Sequence, residues 1–211
     1  MTRLLTALLL TFGLGSIVHA QEASPRIGPW VVDLRGSFPK FPAEDENLAL
    51  SRGITNSATL PGLGIGIDIG AHVYVLKWKA VTFGLGAELM KGRSRSSPLP
   101  DTGAPVTETL TTFAPQLSLN FGSGTGWSYI SGGIGSSVWS VIPDGAEKNP
   151  ADDERLYTVN YGGGARWFAK KHLAVSLDVR LWAINPGTGF LGYPPSPRTT
   201  LLVISGGIAV K

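Results

Sequence analysis

Three histidines and no cysteine limit the chemistry open to this 211-residue chain. Without thiols there are no disulfides and no thiolate metal sites. Histidines at 19, 72 and 172 are too dispersed to suggest a multi-histidine metal site. A nucleophilic site needs a serine, a base and an orienting group at hydrogen-bond range. His72 is the candidate base: Asp68 precedes it by four residues on the same parity, and Ser118 or Ser176 could approach it. The plainer reading is an imidazole that fills space. His172, beside Lys170 and Lys171, reads as a solvated turn residue. The clusters Glu44-Asp45-Glu46 and Asp152-Asp153-Glu154 carry oxygens that calcium accepts, but they sit in polar stretches that read as solvated loops. Gly62-Leu-Gly-Ile-Gly-Ile opens no helix, so it is strand and not a dinucleotide loop. No catalytic, metal or cofactor set emerges.

Two groups of charged residues remain. Arg93 and Arg95, in Gly92-Arg-Ser-Arg-Ser-Ser, are suited to phosphate oxygens, and a solubilising loop is the alternative reading. The other group is Asp33, Arg35, Asp68, Glu88, Arg166, Asp178 and Arg180. Each occupies the non-apolar parity of a strand-like run, so its meaning depends on how those runs are arranged.

The runs have period two. From 63 to 75 the odd positions are Leu, Ile, Ile, Ile, Ala, Val and Val, while the even positions hold Gly64, Gly66, Asp68, Gly70, His72 and Tyr74. A turn over 76–79 leads to Val81, Phe83, Leu85, Ala87 and Leu89 on one parity, which predicts a hairpin. A second hairpin joins residues 157–167 to 173–182 through a turn at 169–172. A third joins 112–121 to 127–135 through 122–126. Outer strands at 29–36 and 199–210 bring the total to eight. The last places Leu202, Ile204, Ile208 and Val210 outward; in 127–135 the competition between Trp127, Tyr129, Ile130 and Ile134 leaves the facing open. Tight turns alternate with long Pro-, Ser- and Asp-rich connections at 37–61, 92–108, 137–156 and 185–198. That alternation characterises transmembrane barrels.

Alternation alone does not say which face is outside, since a soluble lipocalin-like barrel also alternates. The non-apolar face decides it. It carries Gly64, Gly66, Gly70, Gly84, Gly86, Gly162 and Gly164 with isolated charges of both signs. A wall facing water would carry Lys, Glu, Thr and Gln. A narrow lumen wants small residues, and its charges can pair across the interior. An arginine or lysine on the lipid face would cost about 2–4 kcal/mol at mid-bilayer, and the apolar parity has none. Closure also satisfies backbone groups that hydrocarbon would leave unpaired. Trp30, Trp78, Phe121, Trp127, Tyr157 and Trp167 lie near strand ends and are candidates for interfacial girdles.

The expected fold is therefore all-β: an eight-stranded antiparallel up-and-down transmembrane β-barrel. Residues 1–20 read as a signal peptide, with Arg3, an apolar stretch from Leu4 to Val18, and Val18-His19-Ala20 before the cut. Residues 21–211 then form one barrel domain. The formal charge of +3 comes from cations dispersed among 15 acids, which leaves no nucleic-acid footprint.

The segments Gln116-Leu-Ser-Leu-Asn-Phe-Gly122, Gly126-Trp-Ser-Tyr-Ile-Ser-Gly-Gly133, Asn160-Tyr-Gly-Gly-Gly-Ala-Arg-Trp167 and Leu177-Asp-Val-Arg180 carry a resemblance. Nearly end to end, residues 21–211 resemble the small OmpA-like outer-membrane β-barrels of Gram-negative bacteria. The resemblance implies an exported outer-membrane protein without a cofactor, with outer-membrane lipid, lipopolysaccharide and the barrel-assembly machinery as its partners. It implies a monomer with a structural or surface-interaction role. A narrow pore for small solutes or ions and a lipid A-modifying enzyme are the alternatives. The His-x-Ser arrangement of a lipid A deacylase is missing from the sequence.

Overall fold

Strand residues that alternate between two environments need a sheet with two faces, and closing that sheet removes its edges. A computed structural model describes residues 26–97, 103–190 and 192–211. The expected signal peptide, residues 1–20, lies outside the described residues. The strands are β1 (Trp30–Lys40), β2 (Ile65–Trp78), β3 (Val81–Arg95), β4 (Val106–Ser123), β5 (Gly126–Pro143), β6 (Arg155–Lys170), β7 (Leu173–Ile184) and β8 (Thr199–Val210). Each pairs antiparallel with its neighbours in sequence, and β1 pairs with β8 to close the barrel. A short helix, α1 (Glu46–Ser51), lies in the first long loop. No described helix is long and apolar enough to cross a membrane.

The apolar parity faces outward in every strand. Leu117 is 67% exposed and Ile67 58%, whereas Arg180 on the opposite parity is 1% exposed. An apolar surface that encircles the molecule far exceeds the few hundred Å² a soluble monomer tolerates. On β4 this belt runs from Phe113 to Phe121. That is about 27 Å along the strand, or about 20 Å along the bilayer normal at the usual tilt, close to the apolar band of such barrels.

The facing left open in 127–135 is settled, and the facing expected for 199–210 holds. Trp127 and Tyr129 point inward, while Ile130 and Ile134 point outward. In β8 the outward set is Leu202, Ile204, Ile208 and Val210. Trp127 is therefore not a girdle residue: it packs inside against Phe168 and Tyr74. Trp30, Trp78, Phe121, Tyr157 and Trp167 are exposed on the outer face.

The strands are longer than the sequence reading allowed. Residues 92–95, 106–108, 137–143 and 155–156, assigned to loops, are strand, β4 includes 109–111 as well, and β1 runs on to Lys40. Leu76–Trp78 also belongs to β2, so the turn is only Lys79-Ala80. The physical reason at the loop end is an inversion of polarity. On β4 the inward positions change from Gln116, Ser118 and Asn120 to Leu110 and Val106, with Glu108 between them held by the Trp139 indole N–H, while the outward positions change from Phe113 to Thr111, Thr109 and Thr107. Above the belt the barrel is a water-facing wall around an apolar core. Period two persists there, but the apolar face has changed sides.

Candidate functional site

The interior is built in three tiers. At the turn end Val31, Trp127, Ala174 and Ala209 pack with Ile27, Tyr74 and Phe168. At the loop end Phe41, Leu48, Ala49, Ile54 and Leu60 from the first loop descend onto Leu110, Trp139, Trp182 and Leu201. Between these plugs lies a charged tier.

That tier joins all seven lumen residues singled out in the sequence. Arg166 grips Asp33 through two nitrogens, Nε at 2.9 Å and Nη2 at 2.6 Å, and Ser176 donates to the same carboxylate at 2.7 Å. The Arg166 guanidinium lies 4.0 Å from the centre of the Tyr129 ring. The Tyr129 hydroxyl donates to Asp178 at 2.7 Å and accepts from Arg35 at 2.8 Å. Arg35 pairs with Asp68 at 3.2 Å and lies 3.7 Å from Glu88. Arg180 pairs with Glu88 and Asp178, both at 3.0 Å, and donates to Ser131 and Asn160. Gln116 donates to Glu88 and to Asn160, both at 2.9 Å. Four carboxylates thus meet three guanidiniums, with neutral donors supplying the remainder. Charges this far from water persist only when paired in this way.

The inward glycines make the room. A Cβ on Gly70 would stand 3.0 Å from the Arg35 guanidinium, and one on Gly164 would stand 2.7 Å from the Tyr129 hydroxyl. Tyr129, Ser131, Gln116, Asn160 and Ser205 were not singled out as site residues, and Ser176 was considered only as a partner of His72. Inward parity is the signal that marks them; for Tyr129 and Ser131 that signal was hidden by the open facing of β5.

Among the described residues the His72 set does not assemble. His72 faces inward against Gly86, its ring nitrogens make no hydrogen bond within the described residues, Ser176 is committed to Asp33, and Asp68 to Arg35. Oxygens of Asp68, Glu88 and Asp178 converge within 4.8 Å, a spacing that can hold a cation. Arg35 and Arg180 supply that positive charge from within the chain.

The loops interlock over the mouth, and each acidic cluster contributes to this: Asp45, Asp152 and Glu154 are structural, while Glu44, Glu46 and Asp153 are solvated as expected. Asp45 caps α1 by accepting from the Leu48 amide at 3.0 Å. Asp152 accepts from the Val141 and Asn149 amides and pairs with buried Arg52 at 3.2 Å. Arg52 also donates to the carbonyls of Trp139 and Ala151. Burial holds the Arg52 guanidinium below its ordinary range, offset in part by Asp152 and Glu154. Glu154 accepts from the Thr188 amide and hydroxyl, each at 3.0 Å. Gly53, at φ +69°, leaves space for the Tyr193 ring: a Cβ there would stand 3.0 Å from it. The Arg52→Ala substitution will free the first loop while the barrel stays folded. Losing charged hydrogen bonds of about 1.5–3 kcal/mol should speed limited proteolysis within residues 41–64 by roughly tenfold or more. An unchanged cleavage rate would refute the latch.

Arg93 and Arg95 stand apart from the lumen. They are on the outer face of β3, not in a loop, above the belt and beside Lys91. Arg95 bonds Asp144 across to the third long loop. Every acid within the eight strands, Asp33, Asp68, Glu88, Glu108 and Asp178, is buried, while the outward-facing charges on the strands are all basic.

No family model matches the chain, and no curated protein matches it. Among solved structures it is similar to Neisserial surface protein A, at 13% identity and TM-score 0.52 over 87% of this chain and 97% of that one. It is also similar to the N-terminal β-barrel domain of Pseudomonas aeruginosa OprF, at 12% identity and TM-score 0.42 over 86% and 97%. The outer-membrane protein AlkL, solved in lipid bilayers, matches at 15% identity and TM-score 0.43 over 93% and 96%. At these identities the shared property is the fold: an eight-stranded barrel of outer-membrane type.

Proposed function

We propose that this chain is an integral outer-membrane barrel that neither conducts nor catalyses, and whose interlocked loops present a fixed surface outside the cell. The carrying observation is its inverted polarity: isoleucine and leucine outside, ion pairs inside, with the bore filled at both ends by the plugs described above. A barrel of eight strands has room for side chains and little else. The short turns then lie on the periplasmic side. Export by the N-terminal segment and insertion by the barrel-assembly machinery belong to the same reading, as does a monomeric state.

In that orientation Lys91, Arg93 and Arg95 stand where the outer leaflet meets water, at the height of lipopolysaccharide phosphates. Guanidinium forks suit those oxygens, and the outer wall of the strands offers no acid to repel them.

The purified protein in a planar bilayer is expected to give no steady conductance above the lipid baseline. A reproducible unitary conductance from the wild-type protein would overturn the closed-barrel reading in favour of a narrow pore.

A further inference from the structure

We propose that the turn end of the barrel seats the phosphate of an anionic glycerophospholipid, held by Arg26, Lys170 and Lys171 at the rim of an apolar recess. The recess has a volume of ≈ 710 Å³ and lies between the segment entering β1, the β6–β7 turn and the residue following β8. Its walls include Pro29, Trp30 and Phe168, and its basic side chains are Arg26, Lys170, Lys171 and Lys211. No acidic side chain lines it among the described residues.

Lys211 builds the recess more than it fills it. Its ammonium lies 3.8 Å from the centre of the Phe168 ring and 5.5 Å from that of Trp127, and it bonds the Gly124 carbonyl. His172 Nδ1 lies 2.9 Å from the Lys211 main-chain oxygen, which ties the turn to the strand end. Arg26, Lys170 and Lys171 make no ion pair within the described residues and are left for an outside anion. A free carboxylate on Lys211 would still leave the cations in excess.

Charge and continuity argue for a lipid as the occupant. Lys77 and Lys79, in and beside the β2–β3 turn, add to a turn end whose described charges are all basic, whereas the loop end mixes both signs. Trp30 is exposed on the outer face at the edge of the belt and also lines the recess, so the apolar belt runs directly into the basic rim. A phosphate at the rim with its acyl chains along the belt satisfies both halves. Lysine and arginine stems lying on apolar surface with their heads at the phosphate level, beside tryptophan, suit such a boundary.

This inference rests on the reading of the chain as a membrane barrel, and the test separates the two. The protein is refolded in mixed micelles holding equal dioleoylphosphatidylglycerol and dioleoylphosphatidylcholine, and retained lipid is counted by native mass spectrometry. Folding is read independently from the band shift between unheated and heated samples on a gel. Wild type should retain phosphatidylglycerol over phosphatidylcholine about fivefold or more, since each cation near an anionic lipid surface contributes about that factor. Combining Arg26→Ala, Lys170→Ala and Lys171→Ala should lower the ratio about threefold or more with the band shift intact, Lys91, Arg93 and Arg95 accounting for any preference that remains. The Lys170→Arg, Lys171→Arg double substitution should keep it, as should Lys148→Ala in the third long loop, where the side chain is paired with Asp153. Equal retention of both lipids by folded wild type, or an unchanged preference in the folded triple variant, overturns the proposal. So does a rim that prefers a soluble polyglutamate peptide to the lipid. Failure to fold in any micelle would instead count against the membrane reading itself.

Discussion

The Leu117→Arg substitution will destabilise the barrel by about 2–4 kcal/mol when it is folded into phospholipid vesicles. Leu117 is 67% exposed in the middle of the β4 belt, flanked across the strands by Leu85 and Gly132. If hydrocarbon surrounds it, an arginine there must thin the bilayer locally or drag water down to its head. If water surrounds it, the same change replaces an exposed apolar side chain by a solvated one and costs almost nothing. Ser140→Arg provides the comparison. It lies on the outer face of β5 above the belt, and its effect should stay within about 0.5 kcal/mol. Denaturant titration followed by tryptophan fluorescence measures both. Equal effects at the two positions would remove the bilayer from the argument.

The second large effect is expected in the lumen. Arg180→Leu should cost about 3–5 kcal/mol, because it leaves Glu88 and Asp178 buried with their nearest cation gone. Arg35 remains, but at 3.7 Å from Glu88 and 3.5 Å from Asp178 it does not replace the two 3.0 Å contacts. The heat-modifiable band should then convert at a temperature lower by on the order of 10 °C. Adding Glu88→Gln should recover part of the loss, because it removes one of the stranded charges; two groups in one network are not expected to act additively. An unaltered conversion temperature would mean that the ion pairs contribute no net stability and that small residues and aromatic plugs hold the lumen together.

Much of the barrel is legible in the linear pattern because a strand writes its two environments on alternate residues. The run from Leu63 to Val75 shows this: isoleucines on one parity, glycines, Asp68 and His72 on the other, and the structure keeps that division. The seven lumen charges follow from the same parity. What the pattern hides is where an environment ends. Arg93 reads as a loop residue because it breaks the apolar parity of β3, yet the strand continues through it and only the surroundings have changed from lipid to water. Asp152 reads as one of a solvated acidic run, and nothing local predicts that Arg52, a hundred positions earlier, closes on it. Tyr129 is ambiguous by neighbours alone, since aromatic and aliphatic residues of similar hydrophobicity compete for the same face.

The amino-acid sequence by itself determined the strand count, the antiparallel hairpins, the lipid-facing parity of most strands and the identity of the seven lumen charges, because these depend on neighbours two residues apart. The tertiary structure alone decided which charges meet, that Tyr129 bridges the Arg166 pair to the rest, that the first loop folds back as a plug, and that the basic residues of three separate segments share one recess at the turn end. Those features arise from barrel closure, which brings together side chains distant along the chain and fixes their distances by strand register. No local periodicity encodes that register.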